Sequence, residues 1–430
     1  MTKAGTSSLS PLSAAAVAHD AAALARRSGP QAAYSLLLRA EVAAGWRKPS
    51  LALYDHTLHL IGGGQKYGCT MAQALQDDFD VTLITHRPVA ASDLTAWYDL
   101  DLSRCRIRVM PLGFFAGDEA INPDRVSARG ENPFFAVSRE SGNYDFFVNN
   151  SMLEMVFPLA NVSVFVCHFP ERPKGPYFYA DRYPHLIYNS RYTAGWIAKK
   201  WGIAGNRHIY PPVDMEPSGA AEPKENVILS VARFESGGSK QQAEMVIAFA
   251  RLLAREPRAT RGWKLVLCGG SASPNPYLER IRAELAARPG LPVELRVNIA
   301  LDELKRQYAR AAIFWHLCGL GQSNPAHVEH FGMSTVEAMQ NGCLPIVFDG
   351  GGQREIVEDG VSGFRFAGAG QLLERTLQVL RDPELRQRLG AQARRRGKEF
   401  RRVVFEEDVR RFFRELAARY AAPPGTGAPE

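Results

Sequence analysis

Two glutamates stand eight positions apart in the segment EHFGMSTVE, residues 329–337, and a helical pattern follows them. The first turn of a helix has unpaired N–H groups and a positive dipole end, and both favour a bound phosphate. Gly332 lets a ligand approach the backbone, and Ser334 and Thr335 add hydroxyl donors. A carboxylate at Glu337 suits the vicinal hydroxyls of a ribose, and Glu329 suits those of a second sugar. The alternative for Glu337 is charge compensation at the helix N-terminus.

Short apolar runs that alternate with helical stretches must position these residues. Runs of strand type include SLALYDHTL (50–58), DVTLITH (80–86) and RHIYPPVD (207–214), then NVILSVAR (226–233) and LPIVFDG (344–350). After the first run we expect a loop over 62–64 and a helix over 65–75. This alternation is typical of right-handed βαβ units in parallel sheets. A polar segment, 215–225, separates two such series. We therefore predict an α/β fold with two Rossmann-like domains whose parallel sheets face a central cleft.

The breaks in pattern also predict the domain boundaries. An Ala-rich helical extension covers residues 1–48, the first Rossmann-like domain covers 49–215 and the second covers 216–400. A helix over 401–420 and a disordered tail over 421–430 follow.

Composition and charge limit the classes of protein to which the chain can belong. The 430 residues are 46% hydrophobic and carry a net charge of +7. Without an apolar run of about 18 residues or a compact signal-peptide core, we expect a cytoplasmic protein that does not span a membrane. Six scattered cysteines without C-x-x-C spacing favour buried thiols. The basic stretch 394–402 indicates a solvated helix face or a peripheral contact with an anionic membrane surface, at its inner face, rather than nucleic-acid binding.

Segment 329–337 resembles the E-x7-E signature of the family 4 retaining glycosyltransferases (glycosyl transferases group 1), which have the GT-B fold. The continuation AMQNGCLPIVFDGGGQREIVEDGVSGF, residues 338–364, is similar to the same family. Further similar segments are GGGQKYG (62–68), VCHFP (166–170), YNSRYT (188–193), IYPPVD (209–214) and SVARFESGGSKQ (230–241). The resemblance covers residues 50–400. It implies that the helix over 401–420 returns toward the first domain.

The resemblance implies four catalytic residues. Arg233 and Lys240 would neutralise a nucleotide diphosphate, because fixed cations stabilise the charge that gathers on a departing diphosphate. Glu329 would bind the hydroxyls of the donor sugar, and His168 would lie beside the reacting sugar and the acceptor. The loop Ser236–Ser239 is longer than in the commoner family pattern, so the match at Lys240 is weaker than that at Arg233.

A second group of residues is implied in donor binding. Glu337 would bind the ribose, and Gly63 and Gly64 would approach the diphosphate from the first domain. Sugar and phosphate would be held by the segment between the glutamates, through Phe331, Gly332, Met333, Ser334 and Thr335. Two other histidines, His316 and His330, are expected to be structural.

The implied reaction retains anomeric configuration through front-face attack, with the departing phosphate helping to deprotonate the acceptor hydroxyl. The expected enzyme is a hexosyltransferase that needs no metal and no cofactor beyond its nucleotide-sugar donor. Its acceptor would be a glycan or a lipid-linked glycan, in cell-surface glycan or glycolipid synthesis. GDP-mannose, UDP-glucose and UDP-N-acetylglucosamine remain open as donors, with GDP-mannose or a UDP-hexose favoured by the resemblance.

Three alternatives use other features. Asp99-Leu100-Asp101 spells the D-x-D signature of metal–nucleotide sites but lies in a polar loop without suitable strands. An NADP-dependent oxidoreductase could use Gly62 and Gly64, with Arg87 at a 2′-phosphate, although this leaves Arg233 and the two glutamates unexplained. A catalytically silent, two-lobed sugar-binding protein is the third alternative.

Overall fold

The computed structural model describes residues 30–112, 132–171, 175–215, 223–271 and 274–422. Most of the predicted N-terminal extension, most of the polar segment 215–225 and most of the predicted tail lie outside these residues. The chain divides into two compact units. Unit 1 comprises the chain up to Tyr188, Ile197–Ile209 and the chain from Phe405 onward. Unit 2 comprises Asn189–Trp196 and Tyr210–Val404.

Unit 1 is built on a parallel sheet of seven strands. These are β1 (Ser50–Tyr54), β2 (Asp80–Thr85), β3 (Arg106–Val109), β4 (Phe146–Asn149), β5 (Val162–Cys167), β6 (His185–Tyr188) and β7 (Arg207–His208). Their order is β3-β2-β1-β4-β5-β6-β7, which is a doubly wound arrangement. In the centre, Leu53 of β1 pairs with Leu83 of β2 and Val148 of β4. Because both faces are covered, the central strands read as continuous apolar runs.

Helices cover this sheet. They are α1 (Pro30–Ala43), α2 (Gly63–Leu75), α3 (Ala91–Tyr98), α4 (Phe135–Ser141), α5 (Arg191–Trp201), which spans the boundary between the units, and the last helix of the chain (Arg402–Ala421). The last helix places an apolar stripe in the core of unit 1, formed by Phe405, Val409, Phe412, Phe413, Leu416 and Tyr420. Its spacing of three and four residues presents one helix face to the sheet. Phe413 and Tyr420 meet Phe79 and Phe146, respectively, edge to face.

A buried carboxylate ties the ends of unit 1 together. Asp145, which is 2% exposed, accepts hydrogen bonds from the Arg47 guanidinium at 2.6 and 3.0 Å. It also accepts from the Ser50 amide at 2.8 Å and from the Tyr420 hydroxyl at 2.6 Å. The start of β1, the start of β4 and the last helix are therefore joined at one carboxylate.

Unit 2 repeats the same topology with six parallel strands. These are β8 (Glu225–Val231), β9 (Lys264–Gly269), β10 (Val293–Val297), β11 (Ala311–His316), β12 (Leu344–Phe348) and β13 (Phe364–Phe366). Their order is β10-β9-β8-β11-β12-β13. In this order β8 and β11 are neighbours at the point where the connections change direction, so loops that follow these two strands border the place where such sheets bind ligands.

The helices of unit 2 lie between its strands and after them. They are α6 (Gln242–Arg255), α7 (Pro276–Ala286), α8 (Leu301–Arg310), α9 (Met333–Gln340), α10 (Gln353–Ile356), α11 (Ala369–Arg381) and α12 (Pro383–Gly397), which makes the last helix of the chain α13. None of the helices within the described ranges is both long and apolar enough to cross a membrane.

The structure confirms the predicted α/β class and both parallel sheets, with corrections to individual elements. Helix α2 begins at Gly63 rather than after Gly64, because glycines tolerate a first helical turn. The run 207–214 is a strand only over Arg207–His208. Strand β13 and helices α3, α4 and α5 were not predicted. The D-x-D segment follows α3 directly, with Asp99 as its left-handed C-cap at φ +54°.

Candidate active site

The central feature of the site is a cluster of three side chains in unit 2. The Glu329 carboxylate lies 2.8 Å from Lys240 Nζ and 3.1 Å from His316 Nε2, and both contacts go to the same oxygen, Oε2. His316 ends strand β11, and Lys240 lies two residues before helix α6. The loops after β8 and β11 therefore bring together a cation and a carboxylate that are 89 residues apart in the chain.

The electrostatics of this cluster keep Glu329 and Lys240 charged. Burial alone would raise the pKa of Glu329, but Lys240 and His316 outweigh it and hold the pKa well below its usual range. Burial would lower the pKa of Lys240, and the Glu329 charge reverses this and raises it. The side chains are 18% and 20% exposed, so ligands can reach both. An anionic ligand that reaches Lys240 can therefore replace part of the attraction between Lys240 and Glu329.

Glycines hold the Glu329 loop against the strand end that follows it. The Gly352 amide donates to the Glu329 carbonyl at 2.9 Å. A Cβ on Gly351, where φ is +61°, would lie 2.1 Å from that carbonyl oxygen, and one on Gly352 would lie 2.4 Å from the His330 carbonyl oxygen. The G-G-G run after β12 thus serves close backbone packing beneath Glu329.

Helix α9 begins directly after this loop, as predicted from the segment between the glutamates. Gly332 is its N-cap with φ +113°, and a Cβ there would lie 2.6 Å from Gln353 Nε2. Met333 and Ser334 form the first turn and are half-buried. Their N–H groups belong to the set that a helix leaves without intrahelical acceptors. The geometry required of an anion site is present here.

Two residues of this segment have side chains that point into the unit. Phe331 is 3% exposed and packs against Tyr210 and Phe400. Thr335 is fully buried, and its hydroxyl accepts a hydrogen bond from Gln353 Nε2 at 3.0 Å. The Thr335 hydroxyl, predicted as a donor-binding group, is thus engaged in packing beneath α9. The side chain of Phe331 is used in packing, so only its backbone can take part in the donor binding that the resemblance implies.

Glu337 lies one turn into α9 and is half-buried. Its Oε2 accepts a hydrogen bond of 2.7 Å from the hydroxyl of Tyr308, a fully buried residue of α8. The sequence had no signal for this partner, because α8 and α9 are separated by strand β11. Tyr308 fixes the direction of the carboxylate predicted to bind a ribose.

The two predicted cations differ in their surroundings. Arg233 follows β8, is 69% exposed, and pairs with Glu235 at 2.9 Å. Ser239, in the same loop, also donates to Glu235. The longer loop that weakened the sequence match at Lys240 nevertheless brings Lys240 to Glu329, while Arg233 lies on the surface.

The predicted residues of unit 1 meet at the carboxyl edge of its sheet. His168, after β5, lies with Nε2 3.3 Å from Asn150 Oδ1. The Asn150 amide donates to the Gly64 carbonyl at 3.0 Å and to Asp55 Oδ2 at 2.9 Å. A Cβ on Gly64 would lie 3.5 Å from the His168 ring, and Gly63 opens helix α2 and is exposed. Asn150 therefore links Gly64 at the start of α2 to His168, a connection that no sequence motif indicated.

The remaining sequence features are the D-x-D segment and the six cysteines. No group of three or more His, Cys, Asp or Glu side chains in those ranges is arranged to hold a metal ion. Asp101, the second acid of the D-x-D segment, accepts a hydrogen bond from the Ser103 amide in a turn. Five of the six cysteines are buried, as predicted, and Cys105 is half-buried. Burial raises the pKa of the Cys105 thiol to about 12.

The basic stretch 394–402 is partly neutralised within unit 2. Arg396 pairs with Glu399 and lies 3.7 Å from Glu358. Arg402 pairs with Asp214 at 2.9 Å. These pairs involve two of the six basic side chains of the stretch, so both readings of the stretch stay open.

Comparison with known proteins finds a family match in the second half of the chain. Residues 214–396 match the family model "Glycosyl transferases group 1". The GDP-Man:Man(3)GlcNAc(2)-PP-Dol alpha-1,2-mannosyltransferase of Xenopus laevis is 28% identical over 178 residues, 39% of this chain and 35% of that protein. A glycogen synthase of Xanthomonas euvesicatoria is 33% identical over 130 residues, 29% of this chain and 23% of that protein. The aligned part thus spans about a third or less of these curated relatives.

Solved structures share the fold over most of the chain. Alr3699/HepE of Anabaena, in complex with UDP and glucose, has a TM-score of 0.63 and 16% identity, covering 86% of this chain and 100% of that one. Sucrose-phosphate synthase of Thermosynechococcus elongatus has a TM-score of 0.65 and 19% identity, covering 87% and 100%. Residues 214–396 thus match the group 1 glycosyltransferases, and the chain as a whole shares the GT-B fold of these solved structures.

Proposed function

We propose that the protein is a retaining hexosyltransferase that uses a nucleotide diphosphate sugar as donor and an acceptor hydroxyl as nucleophile. The observation that carries this proposal is the cluster of Lys240, His316 and Glu329 beside the N-terminus of α9. It combines a cation and a helix terminus for a diphosphate with a carboxylate for sugar hydroxyls.

Each part of the donor has a partner in unit 2. The Lys240 ammonium and the first-turn amides of α9 hold the diphosphate, with Arg233 as a second cation. Glu337, held by Tyr308, accepts from the ribose hydroxyls, and Glu329 accepts from the hexose hydroxyls. Carboxylates that accept from vicinal hydroxyls also orient the sugar, which lowers the entropy cost of reaching the transition state.

The reaction breaks the bond between the anomeric carbon and the diphosphate oxygen, and the acceptor oxygen attacks from the same face. The hydroxyl proton passes to the departing phosphate oxygen. Negative charge therefore gathers on the diphosphate, where Lys240 and the α9 dipole stabilise it more in the transition state than in the ground state. This chemistry requires no metal ion.

The donor base and sugar have two leading candidates. The name of the Xenopus relative includes GDP-Man, and the Anabaena structure contains UDP and glucose. The acceptor is proposed to be a glycan or lipid-linked glycan bound by unit 1 near His168, since the name of the Xenopus relative includes a dolichol-linked glycan. A cytoplasmic location with peripheral contact at the membrane is part of this proposal.

A thermal-shift screen tests the proposed donor class. The panel is UDP, GDP, UDP-glucose, GDP-mannose, UDP-N-acetylglucosamine and NADPH. Stabilisation by one nucleotide family at concentrations far above Kd, equivalent to about 2.7 kcal/mol at 100 Kd, is expected. Stabilisation by NADPH alone would instead support the oxidoreductase alternative.

Transfer itself is tested with the donor that the screen selects. Glu329→Gln should reduce transfer at least 100-fold while the protein still binds the nucleoside diphosphate. The matched control is Glu279→Gln, which removes an exposed carboxylate paired with Arg282 and should transfer at the wild-type rate. Wild-type transfer by Glu329→Gln would exclude the role assigned to that residue. A protein that binds a nucleotide sugar but transfers to no acceptor would be the silent sugar-binding alternative.

A further inference from the structure

His316 is the member of the Glu329 cluster without a role in the proposed reaction. It ends strand β11, is 3% exposed, and its Nε2 lies 3.1 Å from Glu329 Oε2. A carboxylate at this distance accepts hydrogen bonds and cannot donate when ionised, so the Nε2 atom carries the hydrogen. The ring therefore acts as a fixed donor on a rigid strand end.

Glu329 uses its two oxygens differently. Oε2 receives both Lys240 Nζ and His316 Nε2, while Oε1 accepts no hydrogen bond from the residues that the structure describes. With one oxygen held by two donors, the other is fixed in direction and left for a ligand. A carboxylate that must meet a particular pair of sugar hydroxyls needs this kind of fixation.

A diphosphate changes the balance within the cluster. The Lys240 ammonium has three hydrogens, and a bound diphosphate draws part of its interaction away from Glu329. Glu329 would then lie beside a second anion with its counter-charge shared, and an incompletely compensated carboxylate in a mostly buried position is costly. His316 keeps its position because it projects from the end of a strand, whereas Lys240 projects from a loop and can turn toward the diphosphate.

We propose that His316 is a positioning residue that keeps Glu329 in place when Lys240 turns to the nucleotide diphosphate. This inference rests on the proposed function, and it assigns to His316 a part in donor binding rather than in the stability of the unliganded fold. In the unliganded protein Glu329 has the Lys240 ammonium as a partner in addition to His316. The defect of a variant without the Nε2 donor should therefore appear when the nucleotide binds.

A double-mutant cycle measured by calorimetric titration with UDP and GDP tests this. The four proteins are the wild type, His316→Phe, Glu329→Gln and the double variant. Phenylalanine keeps the ring and removes the donor, so His316→Phe should bind the nucleoside diphosphate about tenfold more weakly, the size of one hydrogen bond to a charged group. In the Glu329→Gln background the same change should cost less than twofold, because no carboxylate remains to be held.

Conservative variants separate positioning from packing. His316→Gln places an amide N–H near the Nε2 position and should restore affinity to within about threefold of the wild type. His316→Asn, whose shorter amide reaches only the Nδ1 position, should behave like His316→Phe and carries the test if that variant does not fold. His327→Gln, at an exposed histidine of the β11–α9 loop, should bind as the wild type does.

Three outcomes overturn the inference. Wild-type affinity of a folded His316→Phe protein would show that Nε2 does not support donor binding. An equal loss in the Glu329→Gln background would show that His316 acts on something other than Glu329. If the wild type binds neither UDP nor GDP, the proposed function fails and the inference fails with it, whereas the first two outcomes leave the proposed function intact.

Discussion

The Asp145 carboxylate offers a strong test of how unit 1 is held together, through the substitution Asp145→Ala. The wild-type side chain receives two hydrogen bonds from Arg47, two from Ser50 and one from Tyr420. Breaking a buried ion pair by removing one partner costs about 3–5 kcal/mol. Arg47 is 26% exposed and keeps Glu41 as a second partner at 3.0 Å, so we take the lower end, about 3 kcal/mol.

This loss should be visible as a lower melting temperature. For a unit of this size, about 3 kcal/mol lowers Tm by roughly 6–12 °C. Differential scanning calorimetry measures the shift, and hydrogen exchange with mass spectrometry locates it. Exchange should rise in the C-terminal half of α13 and at the starts of β1 and β4, because Asp145 joins these elements. Tyr420→Phe, which removes one hydrogen bond, should cost about 1 kcal/mol.

An ion pair on the surface provides the matched control, and the pH dependence of stability provides a second test. Asp77→Ala removes an exposed partner of Arg104 and should change stability by less than about 0.5 kcal/mol.

Burial raises the pKa of Asp145, but Arg47, Tyr420 and Ser50 outweigh it and hold the pKa below its usual value. The stabilisation is thus complete above the unfolded-state pKa of about 3.9 and is lost as pH falls through the folded-state pKa. Unchanged melting and exchange in Asp145→Ala at pH 7 would refute the reasoning.

Three further predictions concern unit 2. Tyr308→Phe removes the 2.7 Å hydrogen bond to Glu337 and should weaken nucleotide-sugar binding about 3- to 10-fold in a calorimetric titration, with wild-type binding counting against a role for Glu337. Gly351→Ala places a Cβ 2.1 Å from the Glu329 carbonyl oxygen at a φ of +61°, and it should lower both Tm and donor affinity. The control is Gly360→Ala, which is also at positive φ but has no atom near its Cβ. It should cost only about 1 kcal/mol of stability and leave donor affinity unchanged. Because the pKa of Glu329 is held well below its usual range, its ionised form persists in the fold, and the difference in free energy of unfolding between the wild type and Glu329→Gln should stay constant from pH 8 to about pH 5, as measured by denaturant titration.

The sequence predicted the two parallel sheets because hydrophobic periodicity is local. Runs such as VILSV within β8 and LPIVF in β12 are buried on both faces and read as strands without tertiary knowledge. Strand β13 escaped prediction because Phe364–Phe366 is too short to establish a period. Helix α2 starts earlier than predicted, since Gly63 and Gly64 are compatible with a loop and with a first helical turn.

The site was only partly predictable, because its partnerships are tertiary. Glu329 and the start of α9 follow from local patterns, and the structure places them as expected. The contact between Lys240 and Glu329 depends on how the loops after β8 and β11 meet. His316 was expected to be structural, yet one signal was available. A histidine that ends a buried strand lies at the same sheet edge as the loop that carries Glu329.

The attachment of α13 to unit 1 has a consequence for how the protein is made. The core of unit 1 includes Phe405 to Tyr420, which a ribosome synthesises only after all of unit 2. Unit 2 has the contiguous stretch Tyr210–Val404 for its sheet and can fold as soon as that stretch has emerged. Unit 1 cannot complete its core until α13 has been synthesised, so the apolar residues that α13 covers stay exposed until then. Chaperone dependence and degradation of nascent chains should therefore concentrate on the half of the protein that is translated first.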